Sequence, residues 1–315
     1  MRNSPLVSII INNYNYQNFI EQSISSALNQ CYQNIEVIVV DDGSTDNSRE
    51  RIANFNDSIT TVFKENAGQA STFNIGFKKS RGEIICFLDA DDLCFPNKAS
   101  SVVEILCGVE NQNLAWCYHY LLQVQEDGII DPQRYQPQQP NQETKKVHVM
   151  DFRKHIKNGV RPNFVPSTSG LCFKRNVLEK ILPMPTKDGI LISDMYLKYV
   201  AVFLGKGAVF DEMLGIYRRH SNNLYATDIK DKQKIGAGID TYTSYAFLEN
   251  FPGLKKLSIK MSSKALAYYL HHTSELQKNK HIIADFFKKI DSFSVIQILI
   301  STLYYYFKYY FCNLY

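Results

Sequence analysis

Several signals are missing from this 315-residue chain, and each absence removes a class of protein. The seven cysteines are odd in number and form no CxxC pair, which points away from a disulfide framework and toward a reduced, cytoplasmic environment. After Met1-Arg2-Asn3-Ser4-Pro5 only six apolar-rich residues follow, too few for a signal-peptide core. No uncharged apolar run reaches the roughly 18 to 20 residues that cross a bilayer, so no conventional transmembrane helix is expected. Charge of one sign is also scarce. Thirty-five Lys plus Arg against 31 Asp plus Glu leave +4, too near neutral for nucleic-acid binding by the whole molecule. There is no GxGxxG after a strand and no GxxxxGK[ST], which argues against a dinucleotide oxidoreductase and a P-loop NTPase. What is present is apolar material: 45% hydrophobic residues with 21% charged allow a sizeable core and exclude disordered and collagen-like chains.

The apolar material is arranged in alternation. Leu6–Ile11, Ile35–Val40, Thr60–Phe63 and Ile84–Leu88 read as strands, the longer ones continuous and β-branched, as in strands buried on both faces of a parallel sheet. Between them lie helical patterns: one with Ile20, Ile24, Ala27 and Leu28 on a face and Asn18/Glu21 at capping-box spacing, one near Asp46–Phe55, and one over Gln69–Lys79. Pro96 opens a helix through Leu106. From Gln123 to about His148 the chain is rich in Gln, Pro and Asn and reads as an excursion. A segment Ser169–Phe173, helices at Asn176–Leu182 and Asp194–Leu204, and strands near Ala208–Phe210 and Leu214–Arg218 follow. The βαβα pattern predicts an α/β fold with a mostly parallel, Rossmann-like sheet flanked by helices. Ligands of such sheets bind outside the carboxyl ends of the strands, so the polar loops ending these strands should converge on one crevice.

The chemistry-bearing residues lie in those loops. Asp89-Ala90-Asp91-Asp92 sets three carboxylates in four positions directly after a buried strand, where they repel one another unless a cation or donor-rich ligand sits among them. A hard divalent ion, Mg2+ or Mn2+, is the simplest resolution, the alternative being a solvated turn whose acids cap the helix near Pro96. Asp41-Asp42-Gly43-Ser44 is open to the same two kinds of reading, site or turn and cap.

Val7-Ser8-Ile9-Ile10-Ile11 with Asn13-Tyr14-Asn15, then Glu36 to Asp46, then Gly82 to Asp92, in that order and at three strand ends, resemble glycosyltransferase family 2. The likeness is dense over the first 110 residues, thins to about residue 225 and is absent beyond. The resemblance implies a GT-A fold: a catalytic domain over 1–227, with a nucleotide-sugar-binding half at 1–110 and an acceptor-binding half at 111–227. It implies that Asn13 and Tyr14 line the nucleotide, Tyr14 stacking on its base, that Asp42 accepts a hydrogen bond from that base, that Asp89 sits near the ribose, and that Asp91 holds the metal on the diphosphate. It also implies Asp194 as the catalytic base, since an acceptor hydroxyl is a poor nucleophile whose proton must leave as the new bond forms. The alternative for Asp194 is a helix cap. His220 corresponds to a late histidine that reaches the metal or diphosphate in several such enzymes, with Arg218 or Arg219 beside it to neutralise phosphate charge; the alternative is a solvated basic loop.

This chain departs from the family's pattern at Asn12-Asn13, where a proline is common, at Phe73, where an arginine is common, and at Ser193, which replaces the first of an acidic pair. The Gln-x-x-Arg-Trp motif of the processive synthases is absent, and the single tryptophan, Trp116, lies elsewhere, so one sugar per encounter is expected rather than polymerisation. The region 228–315 reads as a helical extension, with patterns at Ser263–Leu276 and His281–Ile290. Residues 251–315 hold nine Lys against three acids, and Phe293–Phe307 is uncharged and leads into a run of Tyr and Phe. Such a segment suits the lipid headgroup boundary, so peripheral attachment through 293–315 at the inner face of the cytoplasmic membrane is expected, with packing on the protein or on a second subunit as the alternative.

The sequence is therefore read as an inverting, metal-dependent glycosyltransferase using a nucleoside-diphosphate sugar, UDP-linked by default, and a glycan or lipid-linked acceptor, in cell-surface polysaccharide or glycolipid synthesis. Its rivals are a sugar nucleotidyltransferase, whose glycine-rich basic loop does not appear after Ile11, and a degenerate nucleotide-sugar-binding protein.

Overall fold

The computed structural model describes residues 4–108, 113–125, 128–135, 147–164, 166–186, 194–221, 223 and 229–312. In chain order the elements begin β1 (Val7–Asn13), α1 (Ile20–Leu28), β2 (Ile35–Asp41), α2 (Ser48–Ala53), β3 (Thr60–Phe63), α3 (Gln69–Lys79) and β4 (Ile84–Asp89). They continue β5 (Leu93–Cys94), α4 (Lys98–Cys107), β6 (Trp116–Gln125), β7 (Val147–Met150), α5 (Arg153–Lys157), β8 (Leu171–Lys174) and α6 (Arg175–Leu178). The last are α7 (Asp194–Leu204), β9 (Gly207–Arg219), α8 (Ile229–Asn250), α9 (Lys255–His271), α10 (Thr273–Lys288) and α11 (Ser292–Cys312). They fall into two compact units, one of residues 1–151, 164–188 and 204–222, the other of 152–163, 189–203 and 223–315. The expected boundary at Thr227 lies outside the described residues.

The first unit holds the sheet, in the order β3-β2-β1-β4-β8-β6-β9-β5, with β7 paired to β9. β3, β2, β1 and β4 run parallel. β8 is antiparallel to both β4 and β6, and β6 and β9 are again parallel, so the mostly parallel sheet expected from the alternation carries an antiparallel insertion. Val7 to Ile11, Val37 to Val40 and Ile84 to Leu88 are buried, as strands covered by helices on both faces must be. Each such side chain removed from water contributes roughly 1.5–3 kcal/mol, set against the entropy of ordering it. Register then places the polar ends: Asn13 lies opposite Asp41, and Asn12 opposite Asp89.

Two local readings are corrected. The Asn18/Glu21 capping box does not form; Phe19 holds the N-cap position of α1 without a side-chain cap, and Glu21 turns instead to Arg51 at 2.5 Å. The two strands expected near 208–218 are one bulged strand, β9, whose charged Asp211 and Glu212 find partners in His148 and Asn97. Cys86, Cys172 and Cys117 lie in register on β4, β8 and β6 as buried thiols, and no disulfide forms among the described residues.

The second unit is helical. α9 packs against α8 and α11 through small and hydroxyl-bearing residues, with Ser244 Oγ 2.7 Å from Ser262 Oγ and Thr241 Oγ1 3.1 Å from the Tyr269 hydroxyl, so these buried hydroxyls satisfy one another. Arg161 Nη2 donates to the buried Asp240 at 2.8 Å. The helix expected over Ser263–Leu276 breaks at His272, which leaves helical geometry and separates α9 from α10. No helix among the described residues is long and apolar enough to cross a membrane.

Candidate active site

The carboxyl ends of β1, β2 and β4 meet in the first unit, and the loops that leave them are tied together by side chains. Asn13 Nδ2 donates to Asp41 Oδ2 at 2.8 Å and to Ser44 Oγ at 3.1 Å, and the Asn15 N–H donates to Ser44 Oγ at 2.8 Å. Asn15 adopts φ 58, a left-handed turn that asparagine tolerates, and its Oδ1 accepts the Thr45 N–H at 2.8 Å. Between these anchors Tyr14 stands 45% exposed, its ring available to a planar ligand.

Asp41 and Asp42 divide two tasks. Burial alone would push the Asp41 carboxyl up, but hydrogen bonds from Ser44, Arg49 and Asn13 outweigh it and hold the group below the ordinary carboxylate range. Arg49 Nε lies 2.8 Å from Asp41 Oδ1, so this acid clamps the loop. The Asp42 carboxylate accepts Lys64 Nζ and the Ala67 N–H (2.9 Å) on Oδ1 and the Gly68 N–H (2.8 Å) on Oδ2. A carboxylate has about four acceptor positions, so three are taken and one remains on Oδ2.

The third loop carries the acid cluster. Asp89 Oδ1 accepts Asn12 Nδ2 at 2.9 Å, and the Asp89 N–H donates to Ser169 Oγ at 3.0 Å. Asp91 is buried, and its Oδ2 lies 3.1 Å from Nε2 of the equally buried His220, whose ring packs on Phe19 at 4.5 Å and edge-on to Tyr16 at 5.9 Å. Asp92 is fully buried and is held by Ser169 Oγ (2.6 Å) and the Arg218 N–H (3.0 Å); burial, then the charges of Asp91 and Asp89, push its pKa well up. The field of these acids extends to two phenols that were not legible as site residues. Tyr16 is driven far above its ordinary value by burial and then by Asp91 and Asp89, and Tyr217 is pushed up to about 12 by burial and then by Asp92 and Asp91.

Arg218 is placed beneath the cluster. Its side chain is fully buried, with Nε on the Asp91 carbonyl (2.9 Å), Nη2 on Gln22 Oε1 (2.8 Å), Nη1 on the Gly128 carbonyl and the guanidinium over the Phe19 ring at 4.7 Å. These donors are directed at protein oxygens, so Arg218 holds the acidic loop from below, whereas Arg219 is exposed. Lys98, also buried, supports the other side, with Nζ 2.8 Å from the Ser169 carbonyl. Phe73 is a core residue whose ring packs at a tilt against Phe87, centroids 4.6 Å apart, so no phosphate contact comes from that position.

Among the described residues no three His, Cys, Asp or Glu side chains converge closely enough to cage a metal ion by themselves. The donor set fits a shared site instead. Asp91 and His220 offer one hard oxygen and one imidazole nitrogen side by side, and Mg2+ and its analogues commonly take one or two protein ligands with the rest from substrate phosphates. Among the described residues two buried amide oxygens at the end of β1, Asn12 Oδ1 and Asn13 Oδ1, have no partner, as expected where a ligand's donors complete the network.

Asp194 belongs to the second unit. It opens α7, and its Oδ2 lies 2.8 Å from Lys198 Nζ one turn on. Ser193 before it lies outside the described residues.

Residues 8–182 match the family described as Glycosyl transferase family 2. An uncharacterised glycosyltransferase of Nostoc sp. is 34% identical over 247 residues, which are 76% of this chain and 74% of that protein. Among solved structures, S. aureus TarS 1–349 in complex with UDP-GlcNAc superposes with a TM-score of 0.55 at 14% identity, covering 96% of this chain and 89% of that one. The mannosyltransferase PcManGT from Pyrobaculum calidifontis, in complex with GDP-Man and Mn2+, gives 0.52 at 16% identity, covering 96% and 88%. At these identities the structures speak to the fold alone, and both are GT-A glycosyltransferases, the fold the sequence resemblance implied.

Proposed function

The chain belongs to glycosyl transferase family 2 and is a glycosyltransferase, and from that premise we propose that it is an inverting, divalent-metal-dependent enzyme transferring a sugar from a nucleoside diphosphate to a hydroxyl group. The observation that carries the reading is register: β1, β2 and β4 end side by side and bring Asn13, Asp42, Asp89 and Asp91 to one rim, with His220 against Asp91.

In this reading the exposed Tyr14 ring stacks on the nucleotide base, the remaining Asp42 lone pair accepts from the base edge, and Asn13 lines the nucleotide. Asp89 meets the ribose, while Asp91 and His220 hold Mg2+ or Mn2+. When bound, that cation neutralises the negative charge that grows on the departing diphosphate. The rest is done by the chain itself. Asp92 and Arg218, buried under the loop, fix the direction of Asp91. Asp194 takes the acceptor proton as the new bond forms, and displacement from the opposite side inverts the anomeric centre.

TarS binds UDP-GlcNAc and PcManGT binds GDP-Man, which supports a nucleotide-sugar donor for this chain and leaves UDP as the default base. A glycan or lipid-linked acceptor, in cell-surface polysaccharide or glycolipid synthesis at the inner face of the cytoplasmic membrane, suits the basic, aromatic 228–315 region. A thermal-shift panel of UDP, GDP and CDP with and without Mn2+ tests the proposal. One nucleotide should stabilise strongly, only with the metal, and Asp91→Ala should abolish the effect. Stabilisation by no nucleotide, or undiminished in Asp91→Ala, overturns it.

A further inference from the structure

α11 has one packed face and one bare one. Ser294, Ile298 and Thr302 are buried, Thr302 Oγ1 donates to the Ser263 carbonyl of α9 at 3.4 Å, and Tyr306 stacks on His271 at 4.1 Å. Phe293, Ile296, Ile300, Leu303, Tyr304 and Phe307 are each more than half exposed. At about 100° per residue these six share a sector of roughly 100°, and at about 1.5 Å per residue they run some 20 Å along the helix. Soluble proteins rarely leave so continuous an apolar strip to water.

The charge around the strip decides what covers it. Neither α9 nor α11 contains an acidic residue. Lys264, exposed on α9, is next to the serine that contacts α11, and Lys308 is exposed on α11 itself; Lys256 and Lys260 are exposed further along α9, beside Asn158 and Gly159, and Asp291 at the start of α11 is paired with Lys255. The acids of α10 are engaged: Glu275 pairs with Lys234 and Lys278, and Asp285 with Lys288. A second copy of the chain docking on this face by two-fold symmetry would set lysines against lysines. A surface of apolar tails under anionic headgroups answers both the strip and its border, and tyrosine's ring and hydroxyl suit that boundary.

We propose that α11 lies in the plane of an anionic lipid surface, its Phe293–Phe307 strip sunk to the acyl boundary, with Lys264 and Lys308 on the lipid phosphates. This deepens the membrane-side reading above and is independent of the transfer chemistry. The side chains of Tyr309, Tyr310 and Phe311, which continue the aromatic run, lie outside the described residues.

Sedimentation of the full chain with vesicles tests it, comparing equimolar phosphatidylglycerol and phosphatidylcholine with phosphatidylcholine alone. The chain should pellet with the anionic vesicles and at least tenfold less with the neutral ones. Ile300→Glu with Leu303→Glu, both on exposed positions, should abolish pelleting while the melting temperature and the metal-dependent nucleotide shift stay unchanged. Lys264→Glu should weaken partitioning roughly fivefold or more, at about 1 kcal/mol for each basic side chain near the surface. A chain that stays in the supernatant with both vesicles, binds them equally, or instead forms a dimer that the double variant dissolves overturns the proposal. Absence of a metal-dependent nucleotide shift in the intact chain would overturn the proposed metal-dependent transfer and leave the vesicle result standing.

Discussion

His220 Nε2 lies 3.1 Å from Asp91 Oδ2, with both side chains buried, although 128 residues separate them in the chain. The pairing brings the end of β9 to the loop after β4 and gives the acid cluster its one imidazole. Asp91→Asn keeps the shape and removes the charge, so calorimetric titration with UDP and Mn2+ should show affinity reduced by roughly tenfold or more, as for groups around bound metals. His220→Ala should do the same. Undiminished affinity in both would remove these residues from the site.

Tyr14 separates stacking from hydrogen bonding. Aromatic stacking on a base contributes roughly 1–3 kcal/mol. Tyr14→Ala should therefore weaken nucleotide binding between about fivefold and a hundredfold, and Tyr14→Phe should leave it near the native value, because the ring carries the contact. The same titration checks both variants.

Arg218→Met tests the support beneath the loop. The side chain would lose its guanidinium donors to the Asp91 and Gly128 carbonyls and Gln22 Oε1, the first contact buried and the other two partly buried. Leaving a buried acceptor without its donor costs on the order of 1–3 kcal/mol. Urea unfolding should show the loss, and native-like stability would refute the supporting role.

The extent to which this molecule could be read from its sequence follows the range of the interactions. β1, β2 and β4 are legible because continuous β-branched runs are local, and the acids are legible because each motif lies within a few residues of a strand end. β9 reads as two strands because Asp211 and Glu212 interrupt the apolar pattern, and only their partners His148 and Asn97, from distant segments, explain how charge fits mid-strand. β5 is two residues long and exists because Leu93 and Cys94 pair with β9. Ser169, Lys98 and Tyr16 carry no sequence mark of their roles, since each acts on the acid loop from another element, while Arg218 resembled a phosphate ligand until its burial placed it under the loop.

Gly43 adopts φ +80, and a Cβ there would lie 2.6 Å from the Asn66 backbone nitrogen. Gly43→Ala therefore combines left-handed strain of about 1–3 kcal/mol with a backbone clash next to Asp42. The melting temperature should fall by several degrees, and the nucleotide shift should weaken because the Asp42 loop moves away from Ala67 and Gly68. An unchanged melting point would show that the turn relaxes freely.

His119 supplies the pH dependence. It sits fully buried on β6, Nδ1 donating to the Tyr120 carbonyl at 2.9 Å and Nε2 without a partner among the described residues, and burial, with Lys98 adding to it, lowers its pKa from 6.5 to about 3. The folded chain thus refuses a proton that the unfolded chain accepts. The stability that His119 contributes is complete above pH 6.5 and is lost as the pH falls toward 3, at about 1.4 kcal/mol for each pH unit within that window. The His119 carbonyl lies so close to Gly170 that a Cβ there would be 2.4 Å from it, and Gly170 follows the Ser169 that holds Asp92. His119→Asn leaves a cavity and lowers stability at neutral pH, but it removes the titration. Urea midpoints for the native and variant chains, taken at intervals from neutral to mildly acidic pH, should therefore converge on acidification, the native chain losing about 1 kcal/mol more than the variant over the first unit below 6.5. Parallel curves would show that His119 protonates freely in the folded state.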